Sequence, residues 1–262
     1  MAVDVVSAVE ALRLVMPVAS PHLDIARSEE PPPYRPHVGP TRQYMRDIIL
    51  GVNDGLVSIF LLIAGVVGGG LGARDVLLTG LAASAAGAIS MAAGEYIATK
   101  SQEEVFDSER ELEVEHLEFH RDIEIEEIRE MFGDMGLGAE DVDRIVQALD
   151  KDDEAFLKVM MALEFGVVEE ERRSPYTAAI WSGLLFLSGS LPSVLPFFFV
   201  ESTWLGLFIA ALGSGVALFG VGVAKTFVTR KSWVWGGTEN VLIAAAGAVI
   251  SYGVGVLYNT YA

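Results

Sequence analysis

The stretch GVNDGLVSIFLLIAGVVGGG, residues 51–70, is almost entirely apolar and yet contains one carboxylate, Asp54. A run of about 20 apolar residues crosses a hydrocarbon core of about 30 Å as a helix, so the stretch predicts a transmembrane span. A carboxylate within such a span is costly in lipid and is expected to face a cavity or a partner. Asp54 therefore indicates a membrane helix that carries a functional group.

The composition of the whole chain agrees with a membrane protein. Of its 262 residues, 52% are hydrophobic, and the mean hydropathy is +0.41. Such a chain is too apolar for an ordinary soluble domain. Cysteine is absent, which excludes disulfides and thiolate metal sites. The formal net charge is −18, which argues against nucleic-acid binding. Cations are the natural partners of its surface.

Five segments approach membrane length, and their long apolar runs lack the alternation of a membrane β-barrel. The sequence therefore predicts an all-α integral membrane protein with five transmembrane helices. The predicted spans are Ile48–Gly70, Val76–Ala98, Tyr176–Val200, Trp204–Val228 and Asn240–Tyr258.

Residues 99–174, between the second and third predicted spans, have a different character. They hold 25 of the 36 acidic residues and nine Lys or Arg, a net charge of −16. Their composition predicts a three-helix acidic domain with a turn at GDMGLG, because glycine and aspartate interrupt helices there. The predicted helices cover about 101–132, 139–149 and 151–172.

Basic residues in the short loops favour one orientation of the spans. They precede the first span, at Arg42 and Arg46, and follow the fourth, at Lys225, Arg230 and Lys231. The N-terminus and the acidic domain are then cytoplasmic, and five spans place the C-terminus on the opposite side. The predicted domains are a soluble N-terminal tail (1–41), transmembrane helices 1 and 2 (42–98), a cytoplasmic metal-binding helical domain (99–174) and transmembrane helices 3 to 5 (175–262).

Two further residues are predicted to lie near Asp54 in depth. Asp54 is about 9 Å from the cytoplasmic end of its span at 1.5 Å per residue, and Met91 on the antiparallel second span lies at a similar depth. Glu95 lies one helical turn from Met91 on the same face. A hard oxygen ligand beside a soft thioether suits a borderline divalent metal such as Fe²⁺. The alternatives are that Met91 only packs against its neighbours and that Glu95 is an interfacial charge. For Asp54 the alternative is a structural cap or a hydrogen bond between helices.

The acidic domain contains three pairs of candidate metal ligands at helical spacing. Glu113 lies three residues before His116, Glu124 three before Glu127, and Met160 four before Glu164. Such spacings place both side chains on one face of a helix. Acidic helices contain many such pairs on solvated faces, so the alternative is a surface without a metal. The Glu-x-x-His pair also suggests half of a di-iron site.

Four features together resemble the vacuolar iron transporter family over about residues 42–260. They are RDIILGVNDGLVSIFLLIAGVVG, SMAAGEYIATKSQEE, MMALEFGVVEEERRSP and the acidic helical insert after the second span. The resemblance implies a homodimer that exports Fe²⁺, and often other divalent metals, from the cytoplasm in exchange for protons. The membrane would be a prokaryotic cell membrane or a vacuolar membrane.

The resemblance also implies site residues. Asp54 and Met91 correspond to the family's translocation path at the dimer interface, and Glu95 is added as a candidate for proton exchange. Metal binding is implied at Glu113, Glu124, Glu127, Met160 and Glu164, while His116 occupies a position where the plant pattern has Glu. Imidazole suits Zn²⁺, Cu²⁺ and Ni²⁺ as well as Fe²⁺, so His116 leaves the metal preference open. The expected substrate is Fe²⁺, with Zn²⁺, Mn²⁺, Co²⁺ and Ni²⁺ as further candidates, and no organic cofactor is expected. The alternatives are a membrane-anchored ferroxidase or iron-storage protein, and a metal sensor.

Overall fold

The computed structural model describes residues 41–166, 172–229 and 232–261, which form nine helices and, within these ranges, no strand. The predicted soluble tail lies outside the described residues except for its last residue, Thr41, which begins the first helix. The helices are α1 (Thr41–Gly68), α2 (Ala73–Phe119), α3 (Arg121–Asp134), α4 (Ala139–Leu149), α5 (Asp153–Glu164), α6 (Pro175–Val194), α7 (Pro196–Phe199), α8 (Thr203–Thr229) and α9 (Trp233–Tyr261).

Five of the described helices are long and apolar enough to cross a membrane, which confirms the predicted number of spans. They are α1, α2, α6, α8 and α9. The third span ends at Val194, and Pro196 begins the short α7, because proline is accepted at the first position of a helix. The fifth span begins at Trp233, seven residues earlier than predicted, so Asn240 lies inside the helix.

The second span and the start of the acidic segment form one continuous helix, although the sequence predicted two separate elements. Helix α2 has 47 residues, which corresponds to about 70 Å, more than twice the hydrocarbon thickness. Its apolar first half is long enough to be the span, and its second half is rich in charged residues. No glycine or proline occurs between Glu95 and Phe119, so nothing in the sequence separates the predicted second span from the predicted helix that starts near residue 101. The predicted helix 101–132 is instead interrupted at His120.

The rest of the acidic segment folds as three short helices. The predicted turn at GDMGLG is confirmed, with Gly136 at φ +91°, and the predicted helix 139–149 agrees with α4. The predicted helix 151–172 begins at Asp153, where the Asp152 carboxylate accepts hydrogen bonds from two backbone N–H groups. It ends at Glu164, and residues 167–171 lie outside the described part of the chain.

The membrane helices approach one another closely at glycines. A Cβ on Gly55 of α1 would lie 2.1 Å from the backbone carbonyl oxygen of Phe186 in α6, and one on Gly222 of α8 would lie 2.2 Å from that of Gly236 in α9. Small residues of this kind allow backbones to meet in lipid, where the hydrophobic effect does not drive helices together. The acidic segment has a separate hydrophobic core, in which Ile128 and Phe156 are fully buried.

Candidate metal-binding site

The end of α2 and the start of α3 bring three potential ligands together. Glu113 and His116 lie one turn apart on α2, and Glu124 lies on the first turns of α3. The His116 Nδ1 atom is 3.0 Å from Oε1 of Glu124. One ligand atom from each of the three residues lies within 4.8 Å of the others, which is a spacing that a single metal ion can bridge.

The interruption at His120 creates this proximity. His120 has φ −133° and ψ 27°, outside the helical range, and α3 starts at the next residue. The change of direction packs Ile128 of α3 into the same hydrophobic core as Leu117 of α2. As a result Glu124 returns to the face of α2 that carries His116.

The two glutamates are buried although they are acidic. Glu113 and Glu124 are 4% and 2% exposed, and the Oε2 atom of each has no hydrogen-bond partner among the described residues. Burial, together with repulsion from the carboxylates of Glu124 and Glu164, raises the pKa of Glu113 from 4.5 to about 8. Burial also raises the pKa of Glu124, although His116 lowers it in part. Ionising a buried carboxyl group that has an unpartnered oxygen is costly, and a bound cation would offset that cost.

Of the other predicted ligands in the acidic segment, two contribute charge to this site. The carboxylates of Glu127 and Glu164 both raise the pKa of Glu113. The Met160 side chain is completely buried in the hydrophobic core of the segment, beside Phe156. Its thioether packs there, and its role as a ligand stays a prediction.

The three predicted path residues have different surroundings in the single chain. Asp54 is half-buried on α1, and its backbone carbonyl accepts a hydrogen bond from Ser58. Met91 packs against the apolar core of the spans. Glu95 accepts a weak hydrogen bond from Thr99 at 3.4 Å and lines a cavity that also contains Asp47.

Two polar contacts join distant parts of the chain and were not predictable from the sequence. Asp47 forms an ion pair with Arg173, 126 residues away. The Asn240 side-chain amide lies 3.5 Å from the Asn53 side-chain oxygen, which places it between α9 and α1 rather than at a helix start. Asp47 and Arg173 each lie directly beside a predicted span, and charged residues at such positions can indicate an ion pair. The sequence gives no information on which of these charged residues pair.

Most of the chain matches a known protein family. The model of the VIT family matches residues 45–256, a range that contains every candidate ligand and path residue described above. The chain belongs to the VIT family. The resemblance drawn from the sequence motifs is therefore confirmed.

Several plant members of the VIT family are similar to this chain over most of their length. "Vacuolar iron transporter 2" of Oryza sativa subsp. japonica is 32% identical over 211 residues, which cover 80% of this chain and 86% of the relative. "Vacuolar iron transporter 1" of Arabidopsis thaliana is 30% identical over 210 residues, covering 80% and 84%. "Vacuolar iron transporter" of Centaurea cyanus is 30% identical over 209 residues, covering 80% and 85%.

Proposed function

We propose that this protein exports Fe²⁺ from the cytoplasm across a membrane in exchange for protons. The observation that carries this proposal is the buried group of Glu113, His116 and Glu124 in the acidic segment of a VIT family protein with five candidate spans. The relatives named as vacuolar iron transporters support iron as the substrate. The membrane would be a prokaryotic cell membrane or a vacuolar membrane.

In this proposal the acidic segment captures metal ions on the cytoplasmic side. Its net charge of −16 raises the local concentration of cations. Carboxylate and imidazole ligands together suit Fe²⁺, and also Zn²⁺, Mn²⁺, Co²⁺ and Ni²⁺. Because Glu113 is protonated up to about pH 8, metal binding there would release a proton. The ligands would be Glu113, His116 and Glu124, with Glu127, Glu164 and Met160 in support.

Translocation would follow Asp54, Met91 and Glu95 between the two protomers of a homodimer. An ionised carboxylate replaces part of the hydration shell of the metal ion, and the same carboxylate can carry a proton in the opposite direction. Asp54 would perform this exchange. The N-terminus and residues 99–174 would be cytoplasmic, and the C-terminus would lie on the opposite side.

The direct test is Fe²⁺ uptake into proteoliposomes with an imposed pH gradient, comparing the wild type with Asp54→Ala and Asp54→Asn. We expect gradient-dependent uptake by the wild type, and a loss of both uptake and metal-driven proton flux in the variants. Asp75→Asn, which changes an exposed carboxylate at the start of α2, is the matched control and should transport normally. Full metal-driven proton flux by Asp54→Asn would refute the role of Asp54.

A ferroxidase is the second candidate, because the Glu113-x-x-His116 pair does lie in the ligand cluster. A di-iron bundle site normally contains two such pairs, and the sequence has one. Oxygen consumption by the full-length protein in detergent after addition of Fe²⁺ distinguishes the two functions. Catalytic consumption that Glu113→Gln abolishes would favour the ferroxidase.

A further inference from the structure

The residues just before α6 are held to the first span by an ion pair. We call Arg172–Ser174 the strap. The Arg173 guanidinium forms an ion pair with the Asp47 carboxylate at the start of the first candidate span. The Arg173 backbone N–H donates a hydrogen bond of 3.3 Å to Oε1 of Glu103 in α2. One residue of the strap therefore contacts both α1 and α2.

The neighbouring Arg172 fixes the strap to the part of α2 that follows the span. Its Nε atom is 2.6 Å from Oε2 of Glu103, and its Nη2 atom is 2.8 Å from Oδ1 of Asp107. The guanidinium also lies 4.7 Å from the centre of the Phe106 ring, a distance at which a cation is attracted to the ring face. Arg172 thus holds Arg173 in position beside Asp47.

Arg173 and Asp47 both line a cavity of about 250 Å³ between α1, α2 and α6. Glu95 lines the same cavity from α2, and Ser182 lines it from α6. Most of the remaining wall is apolar. The carboxylates of Asp47 and Glu95 are the groups in the described wall that attract a cation. Among the described side chains, the guanidinium of Arg173 pairs with Asp47.

The ion pair is placed where it can open. The side chains of Arg173 and Asp47 are 23% and 26% exposed, and ion pairs with access to water contribute little stability and weaken with salt. A divalent ion that enters the cavity competes with Arg173 for the Asp47 carboxylate. It also repels the guanidinium directly.

We propose that the strap is a latch that keeps this cavity closed, and that Arg173 must leave Asp47 before a metal ion reaches Glu95. The latch rests on the transport function proposed above, because it controls access to that path. It adds a specific prediction, namely that the bound guanidinium inhibits entry. Removal of its charge should open the cavity.

The closure can be measured without transport, because the chain has no native cysteine. Ser182→Cys places a single thiol in the wall of the cavity, and a cationic methanethiosulfonate reagent reports its accessibility. We expect labelling to be roughly tenfold faster when Arg173→Gln is added, and unchanged when Arg173→Lys is added. Arg121→Gln is the control, since it removes an arginine that pairs with Asp150 and Asp153 inside the acidic segment. Equal labelling rates with and without Arg173→Gln would contradict the proposal that Arg173 keeps the cavity closed.

Transport then tests whether the latch controls the metal path. In proteoliposomes, Arg173→Gln should lower the KM for Fe²⁺ uptake several-fold, and Arg173→Lys should behave as the wild type. Faster labelling with an unchanged or higher KM would contradict the proposal that the latch controls access of the metal ion to the transport path. Failure of the wild type to transport would refute the proposed function, while the labelling experiment would still decide whether the strap closes the cavity.

Discussion

Glu113 is the residue whose ionisation most directly reports on the metal-binding site. In the folded protein its pKa is about 8, whereas the ordinary value is 4.5. Below the ordinary value the carboxyl is neutral in both states and does not lower stability. Between the two values the unfolded chain ionises first, so the folded state loses stability as the pH rises, until the penalty is complete above about pH 8.

We therefore expect Glu113→Gln to stabilise the metal-free protein at pH 8 and to have little effect at pH 4.5. The measurement is thermal unfolding of the protein in detergent with a chelator across this pH range. Added Zn²⁺ should stabilise the wild type and not the variant. Glu111→Gln, on an exposed part of the same helix, is the control, and an identical pH dependence for the wild type and Glu113→Gln would contradict the prediction.

The contact between α1 and α6 is the element-level feature most sensitive to side-chain size. An added Cβ at Gly55 would lie 2.1 Å from the carbonyl oxygen of Phe186, and backbone cannot move aside as a flexible side chain can. Gly55→Ala should therefore destabilise the protein by about 1–3 kcal/mol, the usual cost of overpacking. The loss of stability is measured by thermal unfolding in detergent, with size-exclusion chromatography to monitor the folded protein that remains.

Gly220→Ala provides the matched comparison within another membrane helix. No atom lies within 4 Å of a Cβ placed there, so this substitution should be neutral or stabilise α8 by up to about 1 kcal/mol through helix propensity. Equal effects of the two substitutions would show that α1 and α6 are not in close contact.

The helices themselves were predictable to different degrees. The apolar spans could be located because each depends on composition summed along about 20 residues. The turn at Gly136 could be located because glycine permits its positive φ. The interruption at His120 could not, since histidine, unlike glycine or proline, does not itself break a helix. It follows instead from the packing of α3 against α2.

The arrangement of the whole molecule predicts which segments face each side of the membrane. Helix α6 has 20 residues, enough for about 30 Å, and it is the one candidate span between the acidic segment and the loop before α8. Single cysteines at Ser108 and Ser202 should therefore react with a membrane-impermeant maleimide from opposite sides.

In intact bacterial cells that carry the protein in their cell membrane, we expect Ser202→Cys to be labelled from outside, and Ser108→Cys only after permeabilisation. Both serines are exposed, so a cysteine at either position can react with the reagent. The wild type contains no cysteine and is the control. Labelling of both positions from the same side would contradict the topology. Labelling of Ser108→Cys alone in intact cells would reverse the proposed orientation.

The sequence by itself determined the five spans, the acidic segment between the second and third, and the carboxylate of Asp54 within the first. These features are local, because hydropathy and charge act along a short stretch of chain. Only the tertiary structure decided that Glu113 and Glu124 are buried together, that Met160 lies in an apolar core, and that Arg173 meets Asp47 across 126 residues. Such contacts depend on how helices pack, and no local pattern specifies which distant side chains will meet.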